Sequence, residues 1–194
     1  IAQQEKVDGI LAYASDPAAL PAAIVAERLS LPTNPSSSVA ILGVKHLFRE
    51  FLQNNGFACP KHFRFNPSID IKELIEKISS LKYPIILKPT DSSGSKGVTK
   101  IETKITNDNS QQLISAINHA NYYSRNKTLI IEEFIKRGFP DVIGGDIFVV
   151  DGKIVMFGEM SCLRAFEGKG LIPIGEKWPS GLNKKQKEAV HSEL

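Results

Sequence analysis

The most informative stretch of the chain is Tyr83-Pro-Ile-Ile-Leu-Lys88-Pro-Thr-Asp-Ser-Ser-Gly94-Ser-Lys96-Gly97-Val98. Residues 85–87 form a short apolar run, which predicts a buried strand. The segment after Lys88 is small and polar, and such a loop lets backbone N–H groups approach anionic oxygens. Lys88 adds a fixed positive charge and Lys96 a mobile one. Because Thr99–Ile101 resumes an extended pattern, the sequence predicts a phosphate-binding loop between two strands.

The spacing of the glycines excludes two common phosphate loops. A Walker A loop needs Gly-x4-Gly-Lys-Ser/Thr leading into a helix, and Gly94 and Gly97 do not fit that spacing. A Rossmann loop needs Gly-x-Gly-x-x-Gly at the start of a helix, and this pattern is also absent. An ordinary serine- and glycine-containing hairpin with an exposed lysine is the remaining alternative.

Bulk composition favours an ordinary soluble globular protein. The 194 residues are 42% hydrophobic and 23% charged, with a net charge of +3, which is too mild to favour a nucleic-acid partner. No apolar run approaches the roughly 18 residues of a membrane span, and the first six residues are too polar for a signal peptide. Cys59 and Cys162 have no metal-ligand spacing, so we expect free thiols in the cytoplasm, with a disulfide between them as the alternative.

Apolar periodicity and turn residues predict a mixed α/β chain. A strand at residues 9–13 and a helix at 18–29, with Asp16 as its N-cap, together suggest the last βα unit of a Rossmann-like sheet. A linker with two prolines and three serines follows. Further helices are predicted at about 38–54, 70–81, 109–123 and 183–194. Further strands are predicted at 63–65, 85–87, 99–101, 128–131, 146–150 and 154–158. A type I′ turn at Asp151-Gly152 is predicted to join the last two strands.

The loop Lys88-Pro-Thr-Asp-Ser-Ser-Gly-Ser-Lys-Gly97 resembles the glycine-rich loop of the ATP-grasp superfamily. Three further features match that family in order and spacing. The first is Gly43-Val-Lys45-His-Leu-Phe-Arg49, where the family commonly has a lysine that reaches the nucleotide phosphates. The resemblance therefore implies this role for Lys45, although a solvent-facing helix lysine is the alternative.

The second feature is Ile130-Ile-Glu132-Glu133-Phe134-Ile135, which resembles the family's adenine-binding hinge. Adenine presents a donor at N6 and an acceptor at N1, so one backbone C=O and one N–H two residues apart satisfy both. The resemblance implies that Glu133 supplies the C=O and Ile135 the N–H. Glu132 would place a carboxylate near the N6 amino group, and Phe134 would pack close to the base.

The third feature is Pro140-Asp-Val-Ile-Gly-Gly-Asp146, in the region where the family has an acidic residue that binds the ribose hydroxyls. Asp141 is nearest that position and Asp146 is the competitor, with Asp141 slightly favoured. The implied nucleotide-binding residues are therefore Lys45, Lys88, Ser92, Ser93, Gly94, Ser95, Lys96, Gly97, Glu132, Glu133, Phe134, Ile135 and Asp141.

The resemblance also implies an organisation for the chain. Residues 1–37 would end a pre-ATP-grasp domain, 38–134 would form the linking helix and small ATP lobe, and 135–194 would begin the large lobe. The family's Mg²⁺ ligands, a Glu and a Glu-x-Asn pair followed by an arginine, are not found in this sequence. We therefore expect the 194 residues to be part of a longer protein, with the catalytic residues and the Mg²⁺ ligands elsewhere.

The function implied is that of a carbamoyl-phosphate-synthase-like or carboxylate–amine ligase. Such a ligase uses ATP to activate a small carboxylate as an acyl phosphate, which an amine or similar nucleophile then attacks. The alternatives are a biotin-carboxylase-like component and a non-catalytic nucleotide-binding module. A nucleotide, a carboxylate and an amine are the expected partners, without nucleic acid or membrane, and homo-oligomerisation is left open.

Overall fold

A computed structural model describes residues 1–13, 15–136, 142–165 and 172–194. The chain divides into two compact units, Ile1–Phe134 and Ile135–Leu194, and each unit has its own antiparallel sheet. The first unit contains helices α1 (Asp16–Arg28), α2 (Ser36–Gly43), α3 (Lys45–Asn54), α4 (Ile71–Ile78) and α5 (Ser110–Tyr123), and strands β1 (His62–Phe65), β2 (Ile85–Pro89), β3 (Thr99–Ile101) and β4 (Leu129–Glu133).

The sheet of the first unit has the strand order β1-β4-β2-β3. Leu87 lies opposite Ile131, and Ile85 lies opposite Ile101. Successive side chains of a strand point to opposite faces, so these residues share one face of the sheet. They are fully buried there with apolar side chains of α4 and α5, and together they form the core of the unit. The opposite face carries Lys88, Lys100 and Glu132.

Helix α4 shows why this part of the chain folds as predicted. Its N-cap is Asp70, whose carboxylate accepts hydrogen bonds from the backbone N–H groups of Lys72 and Glu73. Leu74 and Ile78 are buried, in agreement with the apolar periodicity that predicts this helix. A good N-cap contributes about 1 kcal/mol, and burial of the apolar face contributes more.

The predicted strand at residues 9–13 is wrong. The segment pairs with no strand in the described part of the chain, and Leu11 and Tyr13 are each 84% exposed. β-Propensity alone does not make a strand, because its backbone groups need a neighbouring strand to bind. The following helix also begins earlier than predicted, since Asp16 is its first residue and Ser15 occupies the N-cap position.

The single helix predicted for residues 38–54 is two helices. The predicted serine linker already belongs to α2, which ends at Gly43, and α3 starts at Lys45. Val44 between them is extended, with φ −110° and ψ 111°. The backbone N–H of Lys45 donates instead to the carbonyl of Thr90, at 2.9 Å. A contact between distant parts of the chain therefore replaces a helical bond at this point.

The second unit contains β5 (Ile143–Val150), β6 (Lys153–Arg164), β7 (Pro173–Lys177) and α6 (Lys184–Ser192), with the strand order β5-β6-β7. The hairpin turn has positive φ at Asp151 (48°) and Gly152 (74°), as the type I′ prediction requires. Helix α6 begins with a capping box between Asn183 and Gln186. Strand β7 was not predicted. Among the described residues, no helix is long and apolar enough to cross a membrane.

Candidate functional site

The polar face of the first sheet carries a three-membered ion-pair cluster. The Nζ of Lys88 lies 2.7 Å from Oε2 of Glu132, and the Nε of Arg49 lies 3.0 Å from Oε1 of the same carboxylate. The three side chains are 16%, 6% and 19% exposed, in the order Lys88, Glu132, Arg49. Lys88 comes from β2, Glu132 from β4 and Arg49 from α3, so the cluster fixes this helix on the polar face.

Glu132 is charged in this environment. Burial by itself raises the pKa of a carboxyl group, but Lys88 and Arg49 outweigh that effect and hold the pKa of Glu132 below its usual value. The cluster therefore has two cations and one anion. Its net positive charge lies at the end of β2, where the glycine-rich loop begins.

Lys45 is held at both ends by that loop. Its backbone N–H donates to the carbonyl of Thr90, and its Nζ donates to the carbonyl of Ser92 at 2.5 Å. The break at Val44 makes this arrangement possible, because it allows α3 to start beside the loop. Lys45 thus contacts the loop through both its backbone and its side chain.

Lys45 has an unusually low pKa of about 8. Burial is the main cause, and repulsion by Lys88 adds to it, while Asp91, Glu132 and Asp16 oppose the shift. Two lysines close together in a desolvated setting disfavour the charged form. A bound anion would offset both the burial of the charged Lys45 and its repulsion by Lys88.

The base of the glycine-rich loop is tied to the connection between α5 and β4. The Asp91 carboxylate accepts hydrogen bonds from the backbone N–H groups of Arg125 (3.0 Å) and Asn126 (2.8 Å). The N–H of Thr90 donates to the carbonyl of Thr128 at 3.1 Å. These contacts fix the direction in which the loop leaves β2.

The tip of the loop is more exposed and includes left-handed backbone. Gly94, Ser95 and Gly97 have φ values of 63°, 59° and 75°. Close packing also requires a glycine at position 97. A Cβ there would lie 2.9 Å from Cγ of Pro89 and 3.2 Å from Cα of Ala120. Ser92 closes the loop by donating from its hydroxyl to the carbonyl of Lys96 at 2.8 Å.

The predicted adenine hinge begins at the end of β4. The N–H of Glu133 donates to the carbonyl of Lys61, and that of Phe134 donates to the carbonyl of Pro84, each at 2.9 Å. The Nζ of Lys100 lies 4.4 Å from the centre of the Phe134 ring. This distance is that of a cation–π contact.

The structure therefore brings Lys45, Lys88, Glu132 and the start of the loop together. Ser93, Gly94 and Lys96 lie at the exposed part of the loop, and Ser95 and Gly97 complete it. Ile135 is the first residue of the second unit and is 70% exposed, and Asp146 is on β5. Asp141 lies outside the described residues, so the choice between Asp141 and Asp146 stays a prediction.

Sequence reasoning missed three residues of this site. Arg49 follows Lys45 by one helical turn, and that i,i+4 spacing indicates a shared face. Lys100 lies opposite Ile86, which lies opposite Glu132, so all three side chains share one face of the sheet. Only the strand register reveals this, just as only the fold shows that Asp91 binds the backbone after α5.

The described residues offer no group of three or more His, Cys, Asp or Glu side chains able to hold a metal ion. Cys59 and Cys162 are free thiols.

The chain matches no known protein-family model and no curated protein sequence. Solved structures do match. The biotin carboxylase domain of the 2-oxoglutarate carboxylase from Hydrogenobacter thermophilus has 18% identity and a TM-score of 0.70, over 98% of this chain and 42% of that one. The VanG D-Ala:D-Ser ligase from Enterococcus faecalis has 19% identity and a TM-score of 0.69, over 86% and 48%. The L-amino acid ligase from Bacillus licheniformis has 19% identity and a TM-score of 0.66, over 99% and 41%.

These structural neighbours are ATP-grasp enzymes. At such low identity the likeness establishes the fold, and the chain has the ATP-grasp fold over part of its neighbours' length. It spans less than half the length of each of the three. The ATP-grasp fold implied by the resemblance of the glycine-rich loop is thereby confirmed for this part of the fold.

Proposed function

We propose that this chain is the ATP-binding portion of a ligase that activates a carboxylate as an acyl phosphate. The observation that carries the proposal is the placement of Lys45 and Lys88 beside the start of the glycine-rich loop, in a chain with the ATP-grasp fold. Burial and repulsion lower the pKa of Lys45, so this pair favours an anionic ligand. The triphosphate of a nucleotide is the anion proposed.

Each part of the site has a role in the proposal. Lys88 and Lys45 neutralise phosphate oxygens, and backbone N–H groups of residues 92–97 cover them. Asp91 keeps the base of the loop in place through its bonds to residues 125 and 126. Such a site works by positioning and charge neutralisation, which is what phosphoryl transfer needs.

The adenine part rests on the segment at the end of β4. The C=O of Glu133 and the N–H of Ile135 are proposed to bind N6 and N1 of the base, beside Phe134. Lys100 is within 4.4 Å of that ring and adds a further cation on this face. Asp141, or Asp146 in its place, is proposed to bind the ribose hydroxyls.

The reaction proposed for the whole protein has two balanced steps. An oxygen of the substrate carboxylate attacks the γ-phosphorus, the bond from that phosphorus to the β-phosphate oxygen breaks, and ADP leaves. An amine or similar nucleophile then attacks the acyl carbon, inorganic phosphate leaves with the bonding electron pair, and the nucleophile loses its proton. Mg²⁺ neutralises phosphate charge in such reactions. Since the described residues provide no metal cluster, we assign no Mg²⁺ ligand to them.

The second candidate is a biotin-carboxylase-like component. The observation that favours it is the fold similarity to the biotin carboxylase domain, which was solved as a dimer with MgADP, ADP and bicarbonate. A self-associating carboxylase would use the same nucleotide site with bicarbonate as the carboxylate. A non-catalytic nucleotide-binding module is the third reading.

Nucleotide titration of the 194-residue chain tests the proposal. Calorimetry with a non-hydrolysable ATP analogue should show one site, weakened by Lys88→Met and by Lys45→Met. Lys72→Met is the control, because Lys72 is exposed on α4 over the other face of the sheet. Absence of binding by the folded chain, or equal effects of all three variants, would contradict the proposal.

A further inference from the structure

A cavity lies at the free edge of the sheet of the first unit. In the strand order β1-β4-β2-β3, β1 is an edge strand. The cavity has a volume of about 400 Å³ and is lined by β1 and the segment before it, by the end of α3 and by the end of α4. This volume is at the lower end of the range of small-molecule sites, about 300–1,000 Å³. The cavity shares no lining residue with the proposed phosphate site.

One wall of the cavity is the ring of Phe57, which the end of α3 holds in place. Gly56 has a φ of 78°, and its N–H donates to the carbonyl of Gln53 at 3.4 Å. The N–H of Phe57 donates to the carbonyl of Leu52 at 2.9 Å. These bonds form a Schellman motif, which is often accompanied by an apolar contact back to the helix. Here Phe57 stacks on Phe51, with ring centroids 6.4 Å apart, and stays 38% exposed.

Phe63 on β1 supplies a second ring. It lies opposite Ile131, so its side chain is on the core face of the sheet, against which it partly packs. Leu81, just after α4, adds aliphatic surface to the cavity. Lys88 and Glu132 are on the opposite face of the sheet. Two rings and a leucine therefore give the cavity an apolar surface that suits an aromatic ligand.

Lysines supply the charge of the cavity. Lys61 and Lys77 line it, and its described lining residues include no Asp or Glu. The Nζ of Lys77 lies 5.5 Å from the centre of the Phe63 ring. It also lies 3.6 Å from Oε1 of Glu73, which is outside the cavity, but that pair is exposed and therefore weak. Lys61 forms no ion pair within the described part of the chain.

The charge balance favours a ligand with a single negative charge. The C-terminal ends of α3 and α4 reach the cavity, and each helix end contributes about half a negative elementary charge. Against the two lysines this leaves about one net positive charge. A carboxylate matches that charge, whereas a phosphate dianion exceeds it.

The remaining polar groups of the cavity are neutral or can donate hydrogen bonds. The Sγ of Cys59 lies 3.5 Å from the carbonyl oxygen of Pro60 and 3.8 Å from Nδ1 of His62. Burial raises the pKa of the Cys59 thiol, so the thiol adds no negative charge near pH 7. Ser80 adds a hydroxyl group. None of these groups opposes an anion.

We propose that this cavity binds a small aromatic carboxylate, in which a short chain joins one ring to one carboxylate. The ring packs on Phe57 and Phe63, and the carboxylate faces Lys61 and Lys77. The inference goes beyond the proposed function and does not depend on it, because none of these four residues belongs to the proposed nucleotide site.

NMR titration of the 194-residue chain without nucleotide tests it. The probes are benzoate, phenylacetate and 3-phenylpropanoate, each compared with its neutral amide and with the cyclohexyl acid of the same chain length. We expect at least one aromatic acid to bind with a Kd of about 1 mM or lower and to shift the amide signals of residues 57, 61 and 80. Its amide and its cyclohexyl analogue should each bind at least about threefold more weakly. AMP and inorganic phosphate serve as competing anions.

Variants locate the carboxylate. Lys61→Met and Lys77→Met should each weaken the aromatic acid about two- to fivefold, the range of exposed ion pairs, and should leave binding of the amide unchanged. Lys72→Met, on α4 but outside the cavity, should change neither. The comparison of acid with amide separates loss of a charge contact from a change in folding, which would weaken both.

The two thiols give an independent measurement. Cys59 lines the cavity, whereas Cys162 lies on β6 and does not. A saturating aromatic acid should therefore slow the alkylation of Cys59 by iodoacetamide without slowing that of Cys162. Peptide mass spectrometry follows the two reactions separately in one sample.

Several results would overturn the inference. They are the failure of all three aromatic acids to bind, equal binding of acid and amide, and an equal effect of Lys72→Met and the two cavity variants. Tighter binding of AMP or inorganic phosphate than of the acids at residues 57, 61 and 80 would also overturn it, as would unchanged alkylation of Cys59. All these measurements are made without ATP, so their failure is distinct from failure of the proposed function.

Discussion

Lys88 and Glu132 form an ion pair across β2 and β4 although they are not opposite each other in the sheet. Lys88 lies opposite Ile130, and Glu132 lies opposite Ile86, so the 2.7 Å contact is diagonal. Diagonal neighbours on one face of an antiparallel pair are within reach of long side chains. The pair places a lysine at the start of the glycine-rich loop and restrains it by a carboxylate.

The first prediction concerns Lys88→Ala. Loss of a charged hydrogen bond to phosphate costs about 1.5–3 kcal/mol, so the affinity for the ATP analogue should fall about ten- to hundredfold. Calorimetry measures this directly. Lys72→Ala serves as the control, and unchanged affinity in Lys88→Ala would remove Lys88 from the nucleotide site.

The same substitution should also destabilise the unliganded chain. Glu132 keeps Arg49 as a partner but loses Lys88, and an under-satisfied buried charge costs roughly 1–3 kcal/mol. Urea unfolding without nucleotide would show this decrease in the free energy of unfolding. Restoration of stability in the double variant Lys88→Met/Glu132→Gln would identify the ion pair as its cause.

The second prediction concerns pH and Lys45, whose pKa is lowered to about 8 from an ordinary 10.5. Between these two values the unfolded state binds more protons than the folded state, so this lysine makes stability increase with pH over that window. Phosphate binding favours the charged form, so nucleotide affinity should decrease above pH 8. The decrease should be at most about tenfold per pH unit, since a phosphate monoester is already ionised above pH 6.

Titrations of the ATP analogue between pH 7 and 9.5 measure this effect. In Lys45→Met the affinity should be lower and the decrease above pH 8 smaller, whereas Lys72→Met should behave as the parent chain. An identical pH profile in parent and Lys45→Met would show that Lys45 does not carry the proton linkage.

The third prediction compares two glycines of the loop. Gly97→Ala introduces a Cβ 2.9 Å from Pro89 in addition to a left-handed backbone, whereas Gly94→Ala meets only the backbone cost, because the space around Gly94 is open. A non-glycine residue in this conformation costs about 1–2 kcal/mol, and overpacking adds about 1–3 kcal/mol. Urea unfolding should therefore rank Gly97→Ala as clearly less stable than Gly94→Ala, and the reverse order would contradict the packing of this loop.

The sequence predicted the local features of this site better than its contacts. The apolar run before Lys88 and the small residues after it suffice to predict strand β2 and the loop, because both depend on neighbours in sequence. The contact of Lys88 with Glu132 joins residues 44 positions apart. The contact depends on the register of β2 and β4. The apolar pattern of each strand does not show which residues of the two strands lie opposite each other.

The failures have a similar cause. Residues 9–13 have the composition of a strand but no neighbouring strand to pair with among the described residues, so propensity did not decide their structure. The break at Val44 coincides with the bond from the Lys45 N–H to the carbonyl of Thr90, a residue distant in sequence. That bond also places Lys45 in the site, so the helix prediction failed where the proposed function needs irregular structure.

The fourth prediction concerns hydrogen exchange in the loop. The amides of residues 90, 125 and 126 are bound at its base and should be protected in the unliganded chain. The exposed tip around Ser93 and Gly94 has little packing and should exchange quickly, as segments of low local stability do. The ATP analogue should slow exchange at the tip, and a tip already protected without nucleotide would contradict the prediction.

The fifth prediction is a preference for adenine over guanine. If the C=O of Glu133 faces position 6 of the base, it accepts a hydrogen bond from the amino group of adenine. Guanine has a carbonyl oxygen there, so two acceptors would face each other without water, and Glu132, held in its charged form by Lys88 and Arg49, would repel that oxygen further. An unpaired buried polar group costs roughly 1–3 kcal/mol, or about ten- to hundredfold in affinity.

Thermal shift and calorimetry with non-hydrolysable ATP and GTP analogues measure the difference. Lys88→Ala, which weakens phosphate binding, should lower both affinities by the same factor. Equal affinity for the two nucleotides would mean that the end of β4 does not bind the base, and that the phosphate loop alone holds the ligand.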